Sequence, residues 1–120
     1  MARILLADDS ITDLKFVHFV LQNTGHELIT AMDGEDAEQK ARAGKVNLII
    51  LDVVMPKKNG FQVCRSLKRD PGCKDIPIIL LTSKNQESDK YWGEKQGADF
   101  YLTKPCQPED LLSAVNRFLK

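Results

Sequence analysis

Five short apolar runs, separated by stretches of helical period, constrain this chain more than any other feature. The runs are Arg3–Ala7, His26–Ala31, Asn47–Leu51, Ile76–Leu81 and Phe100–Leu102. The third and fourth are apolar nearly throughout, as strands buried on both faces are. Pro77 stands near the start of its run, where a missing N–H is tolerated. Between the runs, Leu14, Val17, Val20 and Leu21 recur at helical spacing, and Ala37 with Ala41 give a weaker inner face. Phe61, Cys64 and Leu67 mark a third helix. Tyr91 and Trp92 supply a thin face over Ser88–Gln96, with Trp92 read chiefly as a packing group. Leu111, Leu112, Val115, Phe118 and Leu119 carry the last helix. The punctuation agrees. Ser10 with Asp13 reads as a capping box, Gly25, Gly44 and Gly97 as helix stops, and Pro108 as a first helical residue.

Strand and helix thus alternate five times with short links. Right-handed crossovers between such units give an α/β fold, a five-stranded parallel sheet with helices on both faces. In open sheets of this kind ligands bind at the carboxyl ends of the strands.

The chain has 120 residues, which is expected to be one domain over 1–120 with no separate output domain. Its 17 basic and 17 acidic residues cancel, which argues against a nucleic-acid arm or a polybasic membrane binder. Residues 1–56 nevertheless hold nine carboxylates against five cations, and residues 57–120 hold eight against twelve. No apolar stretch is long enough to span a bilayer, and the first residues lack a signal-peptide layout. Cys64, Cys73 and Cys106 have no metal-type spacing with His18 or His26, so they read as reduced thiols of a cytoplasmic protein.

The residues just after the runs are chemically distinctive. Asp8 and Asp9 follow the first run, Asp52 the third, Thr82 and Ser83 the fourth, Lys104 and Pro105 the fifth. Three clustered carboxylates repel unless a cation offsets them. Oxygen-only donors suit a hard cation, and Mg²⁺ is the expected one. An ammonium and a hydroxyl beside that cation can balance an oxyanion, and a spare carboxylate can act as nucleophile, so the set reads as a phosphoryl-transfer site. Each residue alone also has a plainer reading. Asp8 and Asp9 can cap a helix, Asp52 can end a strand in a turn, Lys104 can be a solvated lysine, and Tyr101 can simply pack. A flavin phosphate cradle does not fit, because Asp8 and Asp9 would repel it, and no Gly-x-x-x-x-Gly-Lys pattern occurs.

Asp8-Asp9-Ser10, Asp52-Val53-Val54-Met55-Pro56-Lys57-Lys58-Asn59-Gly60, Leu81-Thr82-Ser83 and Lys104-Pro105 together resemble the receiver domains of two-component response regulators, the CheY-like family. The resemblance runs from Arg3 to Leu119. Lys84 to Gly93 and Gln96-Gly97-Ala98 are similar to the PilH-type subgroup found in twitching motility and chemotaxis-like systems. The flavodoxin-like strand order 2-1-3-4-5 is the one given for CheY in general accounts of doubly wound folds, and it is carried over here from the family.

The resemblance implies that Asp52 accepts a phosphoryl group from a histidine kinase. Asp9, Asp52 and the Val54 carbonyl would hold Mg²⁺, with Asp8 acting largely through water. Thr82 would be the switch hydroxyl, Lys104 the phosphate-contacting lysine and Tyr101 the aromatic that follows Thr82. The Lys104–Pro105 bond would be cis. The implied protein is a monomeric, stand-alone regulator that phosphorylates and dephosphorylates itself without a separate substrate. It would signal to a downstream motor or signalling protein through the face built on its fourth helix, fifth strand and fifth helix. A phosphorylation-independent docking module and a phosphate sink for a shared kinase are the other readings.

Overall fold

A computed structural model describes residues 1–119 of the chain. Strands β1 (Arg3–Ala7), β2 (Glu27–Ala31), β3 (Leu48–Leu51), β4 (Ile78–Thr82) and β5 (Phe100–Thr103) alternate with helices α1 (Ile11–Leu21), α2 (Gly34–Ala43), α3 (Gly60–Lys68), α4 (Glu87–Lys95) and α5 (Pro108–Phe118). The sheet order is β2-β1-β3-β4-β5, and every neighbouring pair is parallel. This is the flavodoxin-like (βα)5 architecture. Its order reverses between β1 and β3, so their carboxyl ends flank a crevice.

The period-2 pleat divides the apolar residues between two cores. On β3, Ile49 and Leu51 join Ala37, Ala41, Val63 and Leu67 beneath α2 and α3. Leu48 and Ile50 join Val17, Leu21, Leu111 and Val115 beneath α1 and α5. All four β3 residues are buried, as a continuous apolar run requires. Pro77 precedes β4 rather than lying within it, and its carbonyl accepts from Ile49 N–H at 3.0 Å. Pro108 occupies the first turn of α5.

Two local expectations are corrected. Tyr91 and Trp92 are not the inner face of α4: they are 61% and 50% exposed. The buried residue is Gly93, where an added Cβ would lie 3.0 Å from Leu80 and 3.1 Å from the Tyr101 ring. With no side chain there, α4 sits so close to the sheet that its large residues turn outward. The Ser10–Asp13 capping box is only half formed. Ser10 Oγ accepts from Asp13 N–H at 3.2 Å, but Ser10 N–H donates to Asp8, and the Asp13 carboxylate turns to Lys104. An ammonium is the stronger partner for a carboxylate than one more backbone amide.

The thiols are free, with Cys64 and Cys73 buried. Burial pushes the Cys64 thiol up to about 12, so it stays protonated on its helix face. No helix among the described residues is long and apolar enough to cross a membrane.

Candidate functional site

Asp8 and Asp52 extend from adjacent parallel strands. Asp8 N–H donates to the Ala31 carbonyl and Asp52 N–H to the Ala7 carbonyl, so the ladder fixes both backbones before either side chain turns into the cleft. Asp8 Oδ1 accepts from Ser10 N–H at 2.9 Å, and Asp52 Oδ1 accepts from Val54 N–H at 3.3 Å. Both residues are buried, whereas Asp9 is exposed at the rim. Carboxylate oxygens of Asp8, Asp9 and Asp52 lie within 4.8 Å of one another.

Lys104 reaches this cluster from the end of β5. Its Nζ donates to Asp8 Oδ2 at 2.6 Å, Asp13 Oδ2 at 2.7 Å and Asp52 Oδ2 at 3.0 Å. Its N–H donates to the Thr82 carbonyl, which sets where the side chain starts, and the Lys104–Pro105 bond is cis. Burial disfavours the Lys104 charge, yet the bonds to Asp13, Asp8 and Asp52 outweigh it and hold the ammonium above its usual range. Asp8 is also raised, which for an acid disfavours the charged form. Burial raises its pKa, and the Lys104 and Ser10 bonds offset this only in part beside Asp52. A cleft that makes a carboxylate costly to ionise favours an added cation.

Thr82, fully buried at the end of β4, accepts Lys84 N–H at Oγ1 over 3.3 Å. Tyr101 donates its hydroxyl to the Lys84 carbonyl at 2.8 Å. The two residues therefore hold the same residue from both sides, Thr82 through Lys84's N–H and Tyr101 through its C=O. Burial, with Asp89 and Asp52 nearby, pushes the Tyr101 phenol up to about 12, so it remains a donor.

The β3–α3 loop forms the opposite wall. Val54 is half exposed at its lip. Lys57 takes the left-handed conformation at φ 71°, and Gly60 N–H donates to the Val53 carbonyl at 2.8 Å. An added Cβ at Gly60 would overlap the Asp52 carbonyl, so only glycine lets α3 start this close to the end of β3.

Of the strand-end residues singled out from the sequence, Asp8, Asp9, Asp52 and Lys104 meet in this cleft, while Ser83 and Pro105 line a neighbouring pocket with Lys104 and Asp13. The sequence reading missed Asp13, which it treated as a cap. The signal was its position one helical turn after Asp9, on the helix that begins at the cleft. It also passed over Glu38, a buried carboxylate on α2. Glu38 accepts from Lys58 in the β3–α3 loop and from Arg42, each at 2.8 Å, and from Ser66 at 3.2 Å.

An oxygen-only acidic cleft with a lysine, at the switch point of a 2-1-3-4-5 sheet, defines a receiver. The chain belongs to the response regulator receiver domain family, which it matches over residues 4–116. It is 44% identical over 119 residues to Protein PilH of Pseudomonas aeruginosa, covering 99% of this chain and 98% of that protein. It is 38% identical over 113 residues to Protein PilG of the same organism, covering 94% and 84%. The solved chemotaxis response regulator CheY4 of Vibrio cholerae superposes with a TM-score of 0.91 at 37% identity, over 98% of each chain. Several longer transcriptional regulators match too, and the chain spans about half of their length.

Proposed function

We propose that this chain is a single-domain, stand-alone response regulator over residues 1–120, with Asp52 as its phospho-acceptor. The observation that carries this reading is the convergence of Asp8, Asp52 and Asp13 on one lysine, with Asp9 at the rim. The donor is a histidine kinase's phosphohistidine. A carboxylate oxygen of Asp52 forms the new bond to phosphorus. The bond from phosphorus to the imidazole nitrogen breaks, and its electron pair leaves with the imidazole.

The donor set fits Mg²⁺, with Asp9, Asp52 and the Val54 carbonyl as ligands and Asp8 as an outer partner. The ion would supply charge balance on the phosphoryl oxygens. Lys104 exchanges part of its carboxylate pairing for a phosphoryl oxygen. Thr82 gives up the Lys84 N–H and donates its hydroxyl to another oxygen. Because Tyr101 holds the same residue's carbonyl, this movement reaches α4 and β5. A pre-existing equilibrium then shifts, and the face made by α4, β5 and α5 presents a different surface to a downstream motor or signalling protein. The likeness to PilH and PilG favours pilus motility or chemotaxis-like signalling in the cytoplasm. The protein modifies and demodifies itself and has no separate substrate.

The test is mass spectrometry of the purified chain with Mg²⁺ and a small acyl phosphate. One added phosphoryl group on wild type, absent from Asp52→Ala, is expected. No gain on wild type overturns the reading, and a gain that persists in Asp52→Ala moves the acceptor elsewhere.

A further inference from the structure

A groove of about 410 Å³ runs between α3 and α4, away from the acidic cleft. Arg65, Lys68, Arg69, Lys95, Trp92 and Gln96 line it, with Gly97 at its end, and no carboxylate does. Its two walls are pinned together. Cys64 Sγ on α3 donates to the Gln96 carbonyl at 3.4 Å. The Lys68 stem crosses Gly97, whose φ of +98° and missing Cβ let it pass, and its ammonium binds Asp99 and the Ile76 carbonyl, each at 2.9 Å.

Lys68 is thus used by the fold, but the other three cations are not. Among the described residues, Arg65, Arg69 and Lys95 have no carboxylate within ion-pair distance. Lys95 rests only on the Tyr91 ring, 5.5 Å from its centroid. Gln96, mostly buried, forms the floor between the two helix ends. The chain's one tryptophan stands half exposed on the same groove.

Basic residues in the last turns of α3 and α4 complement the helix dipoles. That accounts for some of the charge. It does not account for an exposed Trp beside them, or for three cations without a carboxylate partner among the described residues in a chain with as many acids as bases.

We propose that this groove is a second binding site, one that takes an acidic segment of a partner protein and seats an apolar side chain of it against Trp92. Arginines bind carboxylates in bidentate fashion, and Trp with Arg is the pairing that anchors protein interfaces. A small phosphate ligand suits the groove less. Both helices present their carbonyl ends here, whereas phosphate sites use free N–H groups at helix starts. The site does not depend on the chemistry at Asp52.

Trp92 makes the test direct, because its emission reports on this groove alone. The full chain is titrated with a peptide of Asp and Glu residues carrying one Leu and no Trp. Inorganic phosphate and ATP are run as separate arms. A saturable change in Trp92 emission with the peptide is expected, weakened roughly tenfold or more in the double variant Arg65→Glu, Arg69→Glu. The charge-matched double variant Lys15→Glu, Lys45→Glu, altered at exposed positions elsewhere, retains binding. Phosphoryl uptake by the Arg65, Arg69 variant shows that it is folded. No saturable change, equal loss in both double variants, or tighter binding of ATP or phosphate than of peptide overturns the proposal. Peptide binding by a chain that takes up no phosphoryl group would leave this site standing and sink the phospho-acceptor reading instead.

Discussion

Lys104 and Asp8 are 96 positions apart in the chain and 2.6 Å apart in space. That bond ties the end of β5 to the end of β1 across the whole cleft. One ammonium faces Asp8, Asp13 and Asp52, with Asp9 beside them, so the cleft remains acidic even with Lys104 in place. Replacing Lys104 by Met leaves the carboxylates to repel one another. In a chelator, Lys104→Met is expected to lose about 1–3 kcal/mol of stability, as loss of a partner to buried charges does. Added Mg²⁺ should then raise its melting temperature more than that of wild type, because the ion supplies neutralisation that Lys104 otherwise provides. Melts of both proteins with and without Mg²⁺ check this, and equal Mg²⁺ shifts would contradict it.

Val54, whose N–H donates to Asp52, and Lys84, just past the end of β4, both reach solvent. Neither side chain holds a carboxylate of the cleft, so exchanging them alters access of water to an acyl phosphate more than it alters cation binding. Val54→Asn and Lys84→Ala are each expected to change the lifetime of the phosphorylated form by roughly threefold, under 1 kcal/mol in barrier. Mg²⁺ affinity should stay nearly constant. Decay of the phosphorylated mass, followed beside a Mg²⁺ titration, decides it. Unchanged lifetimes in both variants would refute the assignment.

The sheet and its cleft were legible because both follow from local rules. Buried parallel strands require runs such as Leu48–Leu51, and chemistry must then sit at residues such as Asp52 that end them. Asp13 was not legible as a cleft residue, since a cap and an ion-pair partner look alike in a Ser-x-x-Asp pattern. Its side chain chooses between an amide and an ammonium that arrives from 91 positions away. Trp92 misled for a related reason. A large aromatic at helical spacing reads as core, and only the close approach at Gly93 shows that α4 presents a side-chain-free surface to the sheet. The Glu38 network was invisible because its members come from α2, the β3–α3 loop and α3.

Gly60 and Gly25 separate two reasons for glycine. Gly25 has φ +82° and open space around it, whereas Gly60 abuts the Asp52 backbone. Gly25→Ala is expected to cost about 1 kcal/mol, the strain of a left-handed alanine. Gly60→Ala should cost more, about 2–3 kcal/mol, because the loop must move away from the Asp52 backbone. It should also weaken Mg²⁺ binding, which Gly25→Ala should leave intact. Urea midpoints and a Mg²⁺ titration measure both. A Gly60→Ala variant as stable as Gly25→Ala would show that the loop accommodates the added atom.

Glu38 gives a pH signature of its own. Burial works to raise its pKa, but hydrogen bonds from Lys58 and Arg42 outweigh that and hold it below the ordinary value of 4.5. A carboxylate lowered in the folded state stabilises the fold above its unfolded pKa and loses that contribution as pH falls through the folded value. At neutral pH, Glu38→Gln is therefore expected to be destabilised by about 1–3 kcal/mol, since Lys58 and Arg42 can turn to solvent once unpaired. Below about pH 4.5 the gap between variant and wild type should narrow, because Glu38 of the unfolded chain then takes up its proton and the folded one follows at lower pH. Asp70 is lowered by Arg42 in the same way and titrates in both proteins, so the difference between them isolates Glu38. Urea unfolding of the pair at stepwise lower pH tests this. A gap that stays constant into acid would mean that Glu38 holds the β3–α3 loop through packing and neutral hydrogen bonds rather than through its charge.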